Sequence, residues 1–131
     1  MIYIEENLIE NRIGALQSFL ENKIDSDVPE QIKIVLGRCS EYLATSAHIV
    51  GSCEYWLQEK RNLGYKDQDV QASLLKLPAS LQKGLIDSFC SIQIANLKFS
   101  ERQNACLVHQ IDAYRSILSY AKSEMEQLRQ K

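Results

Sequence analysis

The sequence predicts an all-α protein: an antiparallel four-helix bundle with one short connector helix and long second and last helices. Three observations predict it. Residues 32–57 carry two apolar stripes on one helix, one of large side chains and one of small ones. Residues 107–128 hold apolar residues alternating by four and three. Helix-stopping residues separate the segments at 25–29, 64–67 and 77–78.

The first helix is expected over 4–24, because Ile9, Ile13, Leu16, Leu20 and Ile24 recur at helical spacing and Phe19 widens their face. The run Asp25-Ser26-Asp27-Val28-Pro29 ends it. Asp27 and Glu30 then match a capping box, and Pro29 falls in the first turn of the next helix, where a missing N–H costs nothing.

The second helix is expected to reach about Leu63, with Lys60 and Arg61 in its last turn and Gly64 as a left-handed exit. Its large stripe comprises Ile32, Leu36, Cys39, Leu43, Val50, Cys53 and Leu57. Its small stripe comprises Gly37, Ser40, Ala44, Ala47 and Gly51. Large residues suit knobs-into-holes packing, and small ones let a second backbone approach more closely than the usual 8–10 Å or so. The helix is therefore expected at the centre of the fold, with another helix laid close across its small residues. Tyr42 and Trp56 are assigned to core packing rather than to a ligand cavity.

A short helix over 68–76 follows, ended by Leu77-Pro78. A third main helix is expected over 79–96, with Leu81, Leu85, Phe89, Ile92 and Leu97 on its buried face. Ser100 and Gln103 match the S-x-x-Q capping pattern, so a break is expected at 97–100 and a last helix over 101–129. On that helix Leu107, Ile111, Tyr114, Leu118, Ala121, Met125 and Leu128 form a seam, and Asn104 extends it to a position where a buried Asn fixes register. The seam is narrow and flanked by charge, which suits a partner helix on one side and water on the others. Four helices leave apolar surface uncovered, so a homodimer or larger assembly through this seam is expected.

Composition narrows the function. The 131 residues fit a single domain, 1–131, and 45% hydrophobic with 24% charged residues is a globular balance. No apolar run is long enough to span a membrane, and the acidic start MIYIEENLIENR does not read as a secretion signal. A cytoplasmic protein is expected. Net charge is −2, split into ten acids and six bases over residues 1–65 and seven acids and nine bases over 66–131, which is too even to name a polyanionic partner. Cys39 and Cys53 would stand about 21 Å apart on one helix face, too far to bond. With Cys90 and Cys106 they read as free thiols in a reducing compartment.

Chemistry-bearing constellations are sparse. Cys106, His109, Asp112 and Arg115 recur every three residues on the last helix. They offer too few ligands for a closed zinc site and point outward in parallel, so they read as a partly buried polar network, with no metal and no cofactor expected. No phosphate loop, nucleophile elbow or paired-histidine metal motif is present, so no catalytic role is expected. Lys60, Arg61, Tyr65 and Lys66, near Tyr55 and Trp56 and extended by Lys98 and Arg102, form a basic and aromatic set of the kind that grips nucleic acid. The leading expectation is a non-catalytic helical interaction or assembly protein that self-associates. The alternative is a nucleic-acid accessory protein using that basic set.

Overall fold

A computed structural model describes residues 2–22 and 28–130, and these are all-helical apart from short connections. Five helices pack together: α1 Glu6–Glu21, α2 Pro29–Lys66, α3 Gln68–Leu75, α4 Ala79–Phe89 and α5 Ser91–Arg129. The capping box expected at Asp27 and the last residues of the expected first helix lie outside the described residues. Pro29 opens α2, as its ring geometry favours, and the backbone N–H groups of Gln31 and Ile32 both donate to the Val28 carbonyl.

The two long helices form the spine. Asn104 of α5 donates to the Ser46 hydroxyl of α2 at 3.1 Å, and Ile111 packs with Val35 and Cys39, so α5 runs antiparallel to α2. Helix α1 lies along one side of this pair. Its Phe19 ring stacks on Tyr42 of α2 at 3.9 Å, and Gln103 of α5 donates to the Ile13 carbonyl at 2.9 Å. It therefore runs antiparallel to α2 and parallel to α5. Ile9, Leu16, Ile49 and Leu107 are all at most 1% exposed where the three helices meet. Helix α2 touches every other helix, but it is not surrounded as expected, because its small residues are left uncovered.

Two local expectations are corrected. Residues 97–100 hold no break; α5 continues through them, and the chain turns at Cys90 instead. Ser100 imitates a cap in sequence, but its hydroxyl donates to the Leu97 carbonyl within the helix at 2.9 Å, and Gln103 spends its amide on α1. The fourth helix is consequently short, and α3 and α4 form a compact end-piece beside the C-terminal turns of α2. There Leu57, Ile86 and Cys90 make a small core of their own.

Second, α2 does not exit at Gly64 but runs to Lys66, and no described glycine takes a positive φ. Gly64 is there for space: a methyl group on it would lie 2.9 Å from the Phe89 ring of α4. The short connector helix is present as expected, and Asp67 caps it, its carboxylate accepting from the Asp69 and Val70 N–H groups at 2.9 and 3.0 Å. Beyond the other end of α3, Gln82 donates to the Leu74 and Leu77 carbonyls at 3.1 and 3.3 Å and ties the turn to α4.

Candidate interaction surface

Helix α2 presents two contrasting sides. One is occupied by α1 and by the extended residues that precede it. His48, Ser52 and Trp56 recur every four residues and so share a face. The Ser52 hydroxyl accepts from the Ile4 N–H at 3.0 Å, the Trp56 indole donates to the Ile4 carbonyl at 2.7 Å, and the His48 ring contacts the Ile2 carbonyl at 2.8 Å. Tyr55 stacks on Tyr3 at 4.2 Å. An extended strand-like backbone, which would otherwise lack partners, is thus satisfied by a ladder of side chains. Sequence reading missed this ladder, since nothing in His48, Ser52 and Trp56 names a backbone as their partner.

The opposite side is bare. Gly37, Ser40, Ala44 and Ala47 are exposed and Gly51 is half-buried. A methyl group at Gly37 or Gly51 would meet no other described element within 4 Å. The Ser40 hydroxyl turns back to the Leu36 carbonyl of its own helix. This corrects the expected close packing inside the fold: α1 and α5 fill the arc set by the large residues, and no third helix of the described chain reaches the small ones. Along the same side, on the flank of the α2–α5 pair away from α1, Leu36, Leu43 and Val50 are only half-buried and Val108 of α5 is 41% exposed. Ala47, Val50, Gly51 and Glu54 of α2 face Glu101 and Asn104 of α5 across a groove of about 490 Å³.

The expected self-association seam is divided by the fold. Leu107 is 0% and Ile111 5% exposed, both committed to the chain's own core, and Asn104 is bonded to Ser46. Tyr114, Leu118 and Ala121 are half-buried. Only Met125 and Leu128, near the end of α5, stand open at 54% and 73%. The seam as a whole is therefore not a free surface, because its first half is what α2 packs against.

The polar set on α5 is not partly buried as expected. Cys106, His109, Asp112 and Arg115 are all exposed. Cys106 receives only a long contact from the Gln110 amide at 3.9 Å, and Asp112 offers its backbone carbonyl to Ser116. Cys106 and His109 line an open groove between α1 and α5 with Gln17, Phe99 and Arg102. Among the described residues no three His, Cys, Asp or Glu side chains are placed to hold a metal ion. Behind the groove lies Gln103, 3% exposed, whose amide donates to Ile13 and Gln17 while its carbonyl oxygen has no partner.

The basic set is likewise divided. The Lys60 ammonium sits 4.4 Å from the Phe89 ring centre, and Arg61 pairs with Asp87 at 3.9 Å. Both cations are drawn onto α4. Tyr65 and Lys66 are exposed at the end of α2, and the Tyr65 carbonyl accepts from Gln71 at 2.6 Å. Lys98 and Arg102 are exposed on α5, where Arg102 belongs to the α1–α5 groove.

Burial raises the thiol pKa of Cys39, Cys53 and Cys90 above the ordinary cysteine value. For Cys53 a hydrogen bond with Ser100 partly opposes this, and for Cys90 the nearby Arg61 and Lys60 charges do. All three are inert packing groups at neutral pH. Among the described residues no helix is long and apolar enough to cross a membrane. Comparison with protein-family models, with curated proteins and with solved structures finds no match to this chain.

Proposed function

We propose that this chain is a non-catalytic helical interaction module that works by presenting the α2–α5 face to another helical protein surface. One observation carries the reading: α2 is occupied on the side toward α1 and left bare, small and apolar on the other. Unoccupied glycines in a helix interior cost about 1 kcal/mol each relative to alanine. Such a cost is offset where a second backbone must come close, and Gly37 and Gly51 have no such neighbour in their own chain.

The absence of convergence elsewhere supports the same reading. The titratable side chains on α5 point outward side by side, and the buried thiols are held in the unreactive form. The antiparallel four-helix packing that the sequence predicts would be met by two helices from each of two associating chains.

The test is the native mass of the protein in extract of its own cell. A complex heavier than the 15.0 kDa chain is expected, and Val50→Arg should shift the chain toward free monomer. A wild-type chain that migrates as a lone 15.0 kDa species in fresh extract would overturn the reading.

A further inference from the structure

We propose that the row His48, Ser52 and Trp56 on α2 is a recognition site for an extended polypeptide segment, with residues 2–4 as its resident and exchangeable occupant. The partner that displaces them is an extended segment of another protein with an aromatic residue between two aliphatic ones. The site lies on the side of α2 opposite the bare one, so it stands or falls independently of the interaction-module reading.

The resident segment is held by its backbone. The Ile4 N–H donates to the Ser52 hydroxyl at 3.0 Å, the Ile4 carbonyl accepts from the Trp56 indole at 2.7 Å, and the Ile2 carbonyl meets the His48 ring at 2.8 Å. An extended chain turns the N–H and C=O groups of alternate residues to one side. Residues 2 and 4 therefore address α2 through their backbones, while Tyr3 reaches it through its ring, stacked on Tyr55 at 4.2 Å and 9° from parallel. Side-chain burial adds little: Ile2 is 91% and Tyr3 38% exposed, and Ile4 alone is half-buried against the core. Backbone groups are common to every sequence. The row therefore selects for extended form, and Tyr55 selects for an aromatic ring at the middle position.

The site keeps its shape when emptied. The Ser52 hydroxyl also donates to the His48 carbonyl of its own helix at 2.8 Å, so it retains a partner. His48 is exposed and Trp56 half-buried, so water can replace what they lose. The Tyr55 ring stays edge-on to Trp56 at 5.0 Å within α2. Release thus orphans no buried donor, and the row remains preorganised for another segment. The core does not depend on the occupant either, because Ile9, Ile13, Leu16 and Leu20 fasten α1 to α2 and α5. Residues 2–4 can open locally while α1 stays in place.

Trp56 is the only tryptophan of the chain, so its emission reports the site. The probe is acetyl-Ile-Tyr-Ile-Glu-Glu-amide, the sequence of residues 2–6. The host is Tyr3→Gly with Ile4→Pro, which removes the resident stack and N–H and leaves the row intact, with circular dichroism to confirm folding. The probe should bind the host saturably, at or below the roughly millimolar effective concentration that a short tether supplies. The wild type, whose own segment competes, should need at least about tenfold more. A probe carrying Ile4→Pro lacks the N–H donated to Ser52 and should bind the host roughly tenfold more weakly. Hydrogen exchange of the wild type tests release without any variant: the Ile4 amide should exchange at a rate unchanged by low urea, while the Ile49 amide tracks global unfolding. No saturable binding to the folded host, equal binding of the two probes, equal binding to host and wild type, or an Ile4 amide that exchanges only together with Ile49 would each overturn the proposal.

Discussion

The two sides of α2 differ in what they ask of the rest of the chain. Toward α1, His48, Ser52 and Trp56 grip the backbone of residues 2–4, and Ile49 between them is 0% exposed. Away from α1, Gly37, Ser40, Ala44 and Ala47 touch nothing beyond their own helix and its immediate flank. The first side is closed by hydrogen bonds with defined partners. The second is smooth, apolar and narrow. One side of α2 is committed to the chain's own fold, and among the described residues nothing is laid across the other.

The sharpest way to break this contrast is to truncate each side in turn. Ile49→Ala removes a fully buried side chain and should cost about 2–5 kcal/mol in urea unfolding. Ala47→Ser, two residues away but on the bare side, should change the stability of the dilute monomer by less than about 0.5 kcal/mol. Comparable losses at both positions would mean that the bare side is packed after all.

The glycines of α2 sharpen it further. Gly64→Ala gains about 1 kcal/mol of helix propensity but pushes a methyl group to 2.9 Å from Phe89, so a net loss of about 1 kcal/mol is expected. Gly37→Ala meets no such obstacle and should stabilise the dilute monomer by about 1 kcal/mol. Opposite signs in one unfolding series support the assignment; a stabilising Gly64→Ala would contradict it.

Much of the core was legible because it is periodic. Ile9, Ile13, Leu16, Leu20, Ile32, Cys39, Cys53 and Leu57 were read from spacing of three and four, and all are buried. What spacing does not reveal is which neighbour covers a face. Small residues permit close approach, but permission is not occupancy, and only the placement of α1 and α5 decides whether the small stripe is covered. The seam on α5 failed in the complementary way: Leu107 and Ile111 do meet a helix at heptad spacing, and that helix is α2 rather than a partner. The break at 97–100 was misplaced because Ser and Gln have the same hydrogen-bonding groups at a cap and in mid-helix. The ladder that holds residues 2–4 left no trace in periodicity, since its acceptors and donors are backbone atoms distant in sequence.

The occupied side has its own graded test. Trp56→Phe keeps the ring and removes the indole N–H that donates to the Ile4 carbonyl. A loss of about 1 kcal/mol is expected, with faster aminopeptidase trimming of the N-terminal residues than in the wild type. Unchanged trimming would mean that the extended segment is held without Trp56.

The smallest effect near neutral pH concerns the thiols. Folded Cys39, Cys53 and Cys90 have raised pKa values, so folding favours their neutral form. Their contribution is fully present below the unfolded thiol pKa of about 8.5 and is lost as pH rises through the higher folded values. Urea midpoints in reductant should therefore be flat from pH 7 to 8 and fall by pH 10. Cys53→Ala with Cys90→Ala should flatten that fall, and an equally steep decline in the double variant would assign it to other groups.

The most direct measurement is the alkylation rate of a thiol at position 47, using Ala47→Cys with Cys106→Ser so that the remaining cysteines are buried. In dilute solution the introduced thiol should react as an exposed group. In fresh extract of its own cell its rate should fall, while that of a thiol at position 127, on the exposed end of α5, stays constant. A rate at position 47 that is the same in dilute solution and in extract would contradict the reading that a partner surface covers the bare side of α2.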